Sequence, residues 1–207
     1  MVEKPHEVLR YQEFLVSEIR ESLVPKETYL KFLSDEKELP VNYLDFGCGL
    51  GYVALLLGEA SRDRKNIHIY ACDYQEDLLD LLWKKIVQRK LTNITPFYLP
   101  DRSLIFFPKW LPLIDHIIFS FSLSCVDDGY KVFQSIKKGL REEAYVHIVD
   151  WENHSENQLL KELFPPEYRL TALILQQWLE LTGYVVEALE SGAHDYFYIR
   201  AQLVRPD

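Results

Sequence analysis

The chain has 207 residues with 23 Lys and Arg against 32 Asp and Glu, a net charge of −9, and is 48% hydrophobic and 14% aromatic. This length suits one domain, and the apolar content excludes a disordered chain. Lys and Arg gather into no stripe that could track a phosphate backbone, no apolar run approaches the roughly 20 residues that span a bilayer, and Met1–His6 lacks the basic-then-apolar pattern of a secretory leader. A cytoplasmic protein with no nucleic-acid and no membrane partner is expected.

The first forty residues read as a helical extension or lid. Val8, Leu9, Tyr11, Phe14, Leu15 and Ile19 recur at helical spacing, and Leu30 and Phe32-Leu33 resume the pattern after Pro25. From residue 41 to 207 apolar strands alternate with amphipathic helices, which predicts βαβ units. Strands are expected near Tyr43–Phe46, Ile67–Cys72, Ile94–Tyr98, Ile114–Phe121 and Tyr145–Asp150, with helices over Tyr52–Ala60, Glu76–Lys90 and Tyr130–Leu140. In the second helix Leu79, Leu82, Trp83 and Ile86 should line the buried face. A helix near Thr171–Thr182 then leads through Gly183 into strands Tyr184–Glu190 and Tyr196–Val204, whose short Gly-containing turn makes them antiparallel. The expected fold is a doubly wound α/β domain: a mostly parallel seven-stranded sheet with one antiparallel strand in a C-terminal hairpin and helices on both faces.

Strand one runs into Asp45-Phe46-Gly47-Cys48-Gly49-Leu50-Gly51, and a helical run begins at Tyr52. Glycines lack Cβ and tolerate positive φ, so they suit a sharp turn that a ligand touches. The helix behind them presents free N–H groups. Asp73, at the end of strand two and 22 residues after Gly51, is placed to accept from ribose hydroxyls. A dinucleotide site would require a third Gly or Ala where Tyr52 stands, which disfavours nicotinamide chemistry.

The pattern D-x-G-x-G-x-G resembles motif I of the class I S-adenosylmethionine-dependent methyltransferases, with Asp45, Gly47, Gly49 and Gly51 in register. Similarity continues in Ala71-Cys72-Asp73-Tyr74, in Ile114-Asp115-His116-Ile117-Ile118 and in Trp178-Leu179-Glu180-Leu181-Thr182-Gly183-Tyr184, and covers about residues 41–204. It is nearest in pattern to the small-molecule methyltransferase type. The resemblance implies S-adenosylmethionine as cofactor. It further implies that the backbone of Gly47, Cys48, Gly49 and Gly51 lines the methionine end, that Asp73 binds the ribose and that Tyr74 lies against the adenine. Asp101 and the Arg102 amide would meet the adenine edge, in a loop shifted by about one place from the family's pattern, and Ser120 and Phe121 would meet the amino-acid part.

A sulfonium methyl is already activated, so methyl transfer needs an acceptor held in line and no obligatory base. Should the acceptor lose a proton, Asp150, Ser122 and Ser124 stand at strand ends facing the cofactor. Ser124 takes the place where relatives often have His. His116 and His147 read as buried structural residues. The cysteines Cys48, Cys72 and Cys125 lack metal or redox spacing and read as small buried hydrophobes. No N/D-P-P-Y/F clamp follows strand four, which argues against exocyclic-amine methylation. Tyr11 and Phe14 of the first helix either close over the site or, as such aromatics more often do, simply pack the helix. The expectation is direct methyl transfer to a small-molecule acceptor; the alternative is a non-catalytic cofactor-binding protein acting through a partner.

Overall fold

The computed structural model describes residues 9–34, 38–100, 105–126, 128–191 and 195–204. Five parallel strands, β1 (Val41–Phe46), β2 (Ile67–Asp73), β3 (Ile94–Tyr98), β4 (Ile114–Ser120) and β5 (Leu140–Trp151), are followed by β6 (Tyr184–Glu190) and β7 (Tyr196–Leu203). The strand order is β3-β2-β1-β4-β5-β7-β6, with β7 antiparallel to both neighbours. The expected doubly wound sheet and C-terminal hairpin are therefore present.

Every residue of β1 is buried, as a strand covered on both faces requires. One face carries α1 (Leu9–Leu15), α2 (Glu18–Leu23), α3 (Glu27–Leu30), α4 (Tyr52–Ala60), α5 (Glu76–Gln88) and α7 (Gln158–Leu163), which pack Tyr11, Tyr29, Leu57, Leu82 and Leu160 against Ile69, Ile118 and Trp151. The other carries α6 (Gly129–Ile136) and α8 (Ala172–Leu181), with Phe133, Leu175 and Leu179 against Phe46, Phe119 and Phe197. Parallel strands put all their C-terminal ends along one edge. The chain reverses its direction of growth between β1 and β4, the place where such sheets open a crevice.

Three local expectations differ from the structure. In α5 the buried face is Leu78, Leu79, Leu82 and Ile86, while Trp83 is 53% exposed. The stripe is centred on the Leu78 side, so Trp83 falls at its margin. The helix expected to reach Leu140 stops at Ile136, because a 3-10 turn over Lys137–Gly139 follows and Leu140 already opens β5. A Cβ at Gly139 would stand 2.2 Å from Phe107, so the turn is fixed by close approach. The exposed run Arg141-Glu142-Glu143 hid that early strand start, and Glu143 adopts φ +62°. The helix α7 had no counterpart in the sequence reading.

His116 and His147 sit within the sheet, His147 buried as expected and His116 only partly so. His116 Nδ1 and His147 Nε2 are 3.1 Å apart, and His147 Nδ1 lies 3.3 Å from Tyr198 Oη. Tyr43 stacks on His116 and Phe32 on His147. Burial, aided by the Arg200 charge, pulls the His116 pKa down to about 4; burial, His116 and Arg200 hold His147 well below its ordinary value. Folded-state pKa values below the unfolded ones mean that the unfolded chain takes up more protons as pH falls. The pair's contribution to stability is thus complete above about pH 6.5 and is lost towards pH 4. The expected outcome in NMR is that the imidazole signals of His116 and His147 do not titrate between pH 7 and pH 5; titration near pH 6.5 would contradict the packing described.

Candidate functional site

The turn between β1 and α4 is built on one carbonyl. Cys72 O, at the end of β2, accepts from both Gly47 N and Cys48 N at 2.9 Å, and Gly51 N closes the turn onto Cys48 O at 2.8 Å. Gly47, Gly49 and Gly51 have φ of +69°, +51° and +81°, a region that costs an L-residue about 1–2 kcal/mol. Space also requires two of them to be glycine. A Cβ on Gly47 would lie 2.7 Å from Ser122 Cβ, and one on Gly51 would lie 2.3 Å from Leu82 Cδ1.

Two carboxylates fasten this turn. Asp45 Oδ2 accepts from Ala54 N at 3.0 Å, tying the end of β1 to the first turn of α4. Asp73 Oδ2 accepts from Gly49 N at 2.8 Å, and its Oδ1 from Gln75 N at 3.0 Å, just before α5. Asp73 is thus both a local cap and a partner of the glycine turn. A carboxylate oxygen keeps a second lone pair, so neither bond exhausts it.

A cleft with about 840 Å³ of space, its mouth included, runs along the strand ends. Asp73, Tyr74, Gln75 and Leu99 line one end; Asp45, Gly47, Cys48 and Gly49 form the floor; Ser120, Phe121 and Ser122 follow at the end of β4. Tyr11, Leu15, Val16 and Arg20 roof it from α1, α2 and the turn between them, with Cys125 and Val126 beside them. Phe121 is held at φ +56°, its amide donates to Val149 O at 2.9 Å, and its ring stacks on Trp151 with centroids 4.0 Å apart. A bulky residue in the left-handed region is strained, and the surroundings must hold it there.

Charge within the cleft is shaped by burial. Desolvation raises the Asp45 pKa to about 7 against the opposing Ala54 hydrogen bond, with Asp73 pushing the same way as burial and Arg20 pulling it down. Burial also keeps the Cys48 thiol protonated, so its side chain is an inert wall. Arg20 is 1% exposed. Its Nη2 donates to Tyr29 Oη, and its guanidinium lies over the ring of Tyr52, 3.9 Å from the centroid. Its Nε and Nη1 are buried with no hydrogen-bond partner.

Of the residues named from sequence, Asp45, Gly47, Cys48, Gly49, Asp73, Tyr74, Ser120 and Phe121 meet in this one cleft. Gly51 starts α4 as its cap. Asp101 and Arg102 lie outside the described residues. Asp150 belongs to the end of β5, is 1% exposed and is not on the cleft wall; burial lifts its pKa to about 7. Ser122 lines the cleft, whereas Ser124 Oγ is buried away from it. Tyr11 reaches the cleft, whereas Phe14 packs against Trp151 in the core, so the two alternatives are divided between them. Arg20 was missed. Its neighbour Ile19, which carried the apolar pattern, is 57% exposed, because Ser17 caps a new helix and resets the face.

A family model described as "Methyltransferase domain" matches residues 44–146. Among solved structures, a SAM-dependent methyltransferase from Aquifex aeolicus is 23% identical with a TM-score of 0.78, over 94% of this chain and 98% of that one. One from Mesorhizobium loti is 13% identical with a TM-score of 0.64, over 85% and 96%. A Haemonchus contortus phosphoethanolamine N-methyltransferase in complex with S-adenosylhomocysteine is 15% identical with a TM-score of 0.67, over 87% and 52%. No curated protein matches the sequence. The chain belongs to the class I S-adenosylmethionine-dependent methyltransferases, an enzyme family whose cofactor is S-adenosylmethionine. Membership favours catalysis over a non-catalytic role. Among the described residues no helix is long and apolar enough to cross a membrane.

Gly47→Ala is expected to lower the unfolding free energy by more than about 1 kcal/mol, from left-handed strain and the Ser122 contact together. Urea unfolding of Gly47→Ala, Ser122→Gly and the double variant separates the two. The double variant should recover the steric part and keep the strain; full recovery would mean that φ at residue 47 is not constrained.

Proposed function

We propose that this methyltransferase acts on a small-molecule acceptor in the cytoplasm, with the cofactor laid across the C-terminal ends of β2, β1 and β4. The observation that carries the reading is the roof: the cleft ends beneath buried Tyr11 and Arg20 and not on an open face. A roofed, largely apolar cleft with a few convergent polar groups suits a small acceptor. The three free cysteines agree with a reducing compartment.

On this reading Asp73 accepts from the ribose hydroxyls, Tyr74 lies beside the adenine, and Asp101 with the Arg102 amide meets the adenine edge. The backbone of Gly47, Cys48 and Gly49, with Gly51 setting the helix start, receives the amino-acid end together with Ser120 and Phe121. When bound, S-adenosylmethionine supplies an activated sulfonium methyl. Tyr11, Leu15, Val16 and Cys125 then form the wall that orients an acceptor and excludes water. On this reading the N-terminal helical extension acts as a lid, contributing Tyr11, Leu15 and Val16 to that wall. Asp150 stands off the wall, so the reading gives it no proton-transfer role.

Calorimetric titration with S-adenosylhomocysteine is expected to give micromolar binding, about −8 kcal/mol. Asp73→Ala should weaken it by roughly tenfold to a hundredfold, the worth of one hydrogen bond to a charged group, while a thermal scan reports whether the turn survives. Incubation with S-adenosylmethionine and either a small-molecule extract or a protein extract should release S-adenosylhomocysteine with the first. Release with the protein extract alone would overturn the small-molecule reading.

A further inference from the structure

Arg20 leaves most of its hydrogen-bonding capacity unused in the cleft, where the Tyr52 and Ser122 hydroxyls are also without a partner among the described residues. A guanidinium carries five N–H donors and no acceptor. Nη2 is spent on Tyr29 Oη, which is itself 2.8 Å from Ser120 Oγ. Nε and Nη1 hold three more donors, buried and without an acceptor. A buried cation whose hydrogen bonding is incomplete is costly even over aromatic rings, and an anion beside it would complete the set. The Asp45 carboxyl feels the Arg20 charge, but its Oδ2 is committed to Ala54 N.

The guanidinium is also fixed in place. It lies 3.9 Å from the ring centroid of Tyr52, 4.8 Å from that of Tyr29 and 5.2 Å from that of Phe121. Tyr52 opens α4 directly after the glycine turn, and Phe121 directly follows β4. Arg20 therefore stands at the β1–β4 end of the cleft, opposite the Asp73 end. A ligand with hydroxyls at Asp73 and an anionic tail directed toward β4 brings that tail to Arg20.

We propose that Arg20 is the carboxylate receptor of this cleft and that the carboxylate is the one at the amino-acid end of the cofactor. The proposal rests on the cofactor placement given above. Arg20 belongs to α2, and Ser17, the cap of that helix, accepts from Arg20 N at 3.2 Å. The ion pair therefore connects the cofactor to the N-terminal helices, and through Tyr29 to Ser120 of β4. An acceptor-borne anion is the competing source of the same chemistry.

The test compares S-adenosylhomocysteine with its decarboxylated analogue, which keeps the amine and the nucleoside, by calorimetry on the wild-type chain, Arg20→Met and Arg20→Lys. Wild type is expected to prefer S-adenosylhomocysteine by about tenfold or more. Arg20→Met should erase that preference while keeping its affinity for the analogue, and Arg20→Lys should restore part of it. The wild-type comparison stands whether or not a variant folds: equal affinity for the two ligands overturns the proposal and leaves the cofactor placement intact. Equal loss of both ligands in a folded Arg20→Met makes the residue a structural one and also overturns it. If S-adenosylhomocysteine binds the wild type in no measurable amount, the placement itself falls, and the proposal with it. A preference that is absent for the cofactor pair but present for anionic over neutral acceptors assigns Arg20 to the acceptor and overturns the proposal as stated.

Discussion

The passage from β1 into α4 depends on the carbonyl of Cys72, which takes two successive amides of the glycine turn. A single acceptor shared by Gly47 and Cys48 forces the chain to fold back over the end of β2, and only left-handed backbone then lets it enter the helix. Everything that defines the cleft is referred to this point. Ser122 is pressed against Gly47, Leu82 of α5 against Gly51, and Asp73 holds the Gly49 amide. The turn is thus locked to β4, α5 and β2 at once. A preorganised cradle of this kind gives up little order on receiving a ligand, which is how a site gains affinity without more contacts.

The N-terminal helices complete the enclosure from the far side, and they do so as part of the core. Tyr11 and Tyr29 are buried within the same cluster as the sheet residues Ile118 and Val149. The roof is also where charge is managed. Asp45, with a pKa near 7, and the Arg20 guanidinium lie in one low-dielectric space. The Arg20 charge holds the Asp45 pKa down, and an arriving anion or cation changes that balance.

The floor of the site was legible in the sequence because its constraints are local. Alternating glycines after an apolar strand, and an acid at the next strand's end, are demanded by backbone geometry that no distant residue can alter. The strand pattern was legible for the same reason: β3 and β6 fall where Ile94–Tyr98 and Tyr184–Glu190 were read. The roof was not. One serine cap at Ser17 splits an apparently continuous helix and turns Arg20 inward and Ile19 outward, and helical periodicity carries no information across such a break. Trp83 and the early start of β5 were misread because single side chains were weighed by hydrophobicity alone. Their placement was set by the register of Leu78 and by Phe107 crowding Gly139.

Trp151 has an optical consequence. It is fully buried, its indole Nε1 donates to Tyr11 Oη at 2.8 Å, and its ring is stacked on Phe121. Trp83 and Trp110 are more than half exposed and Trp178 is partly so. The chain therefore carries one dry indole whose only hydrogen bond belongs to the first helix of the roof. An indole so dry should emit to the blue of the three wetter tryptophans and so report the seating of that helix from inside the protein. The molecule carries its own fluorophore for the seating of that helix, with no label added.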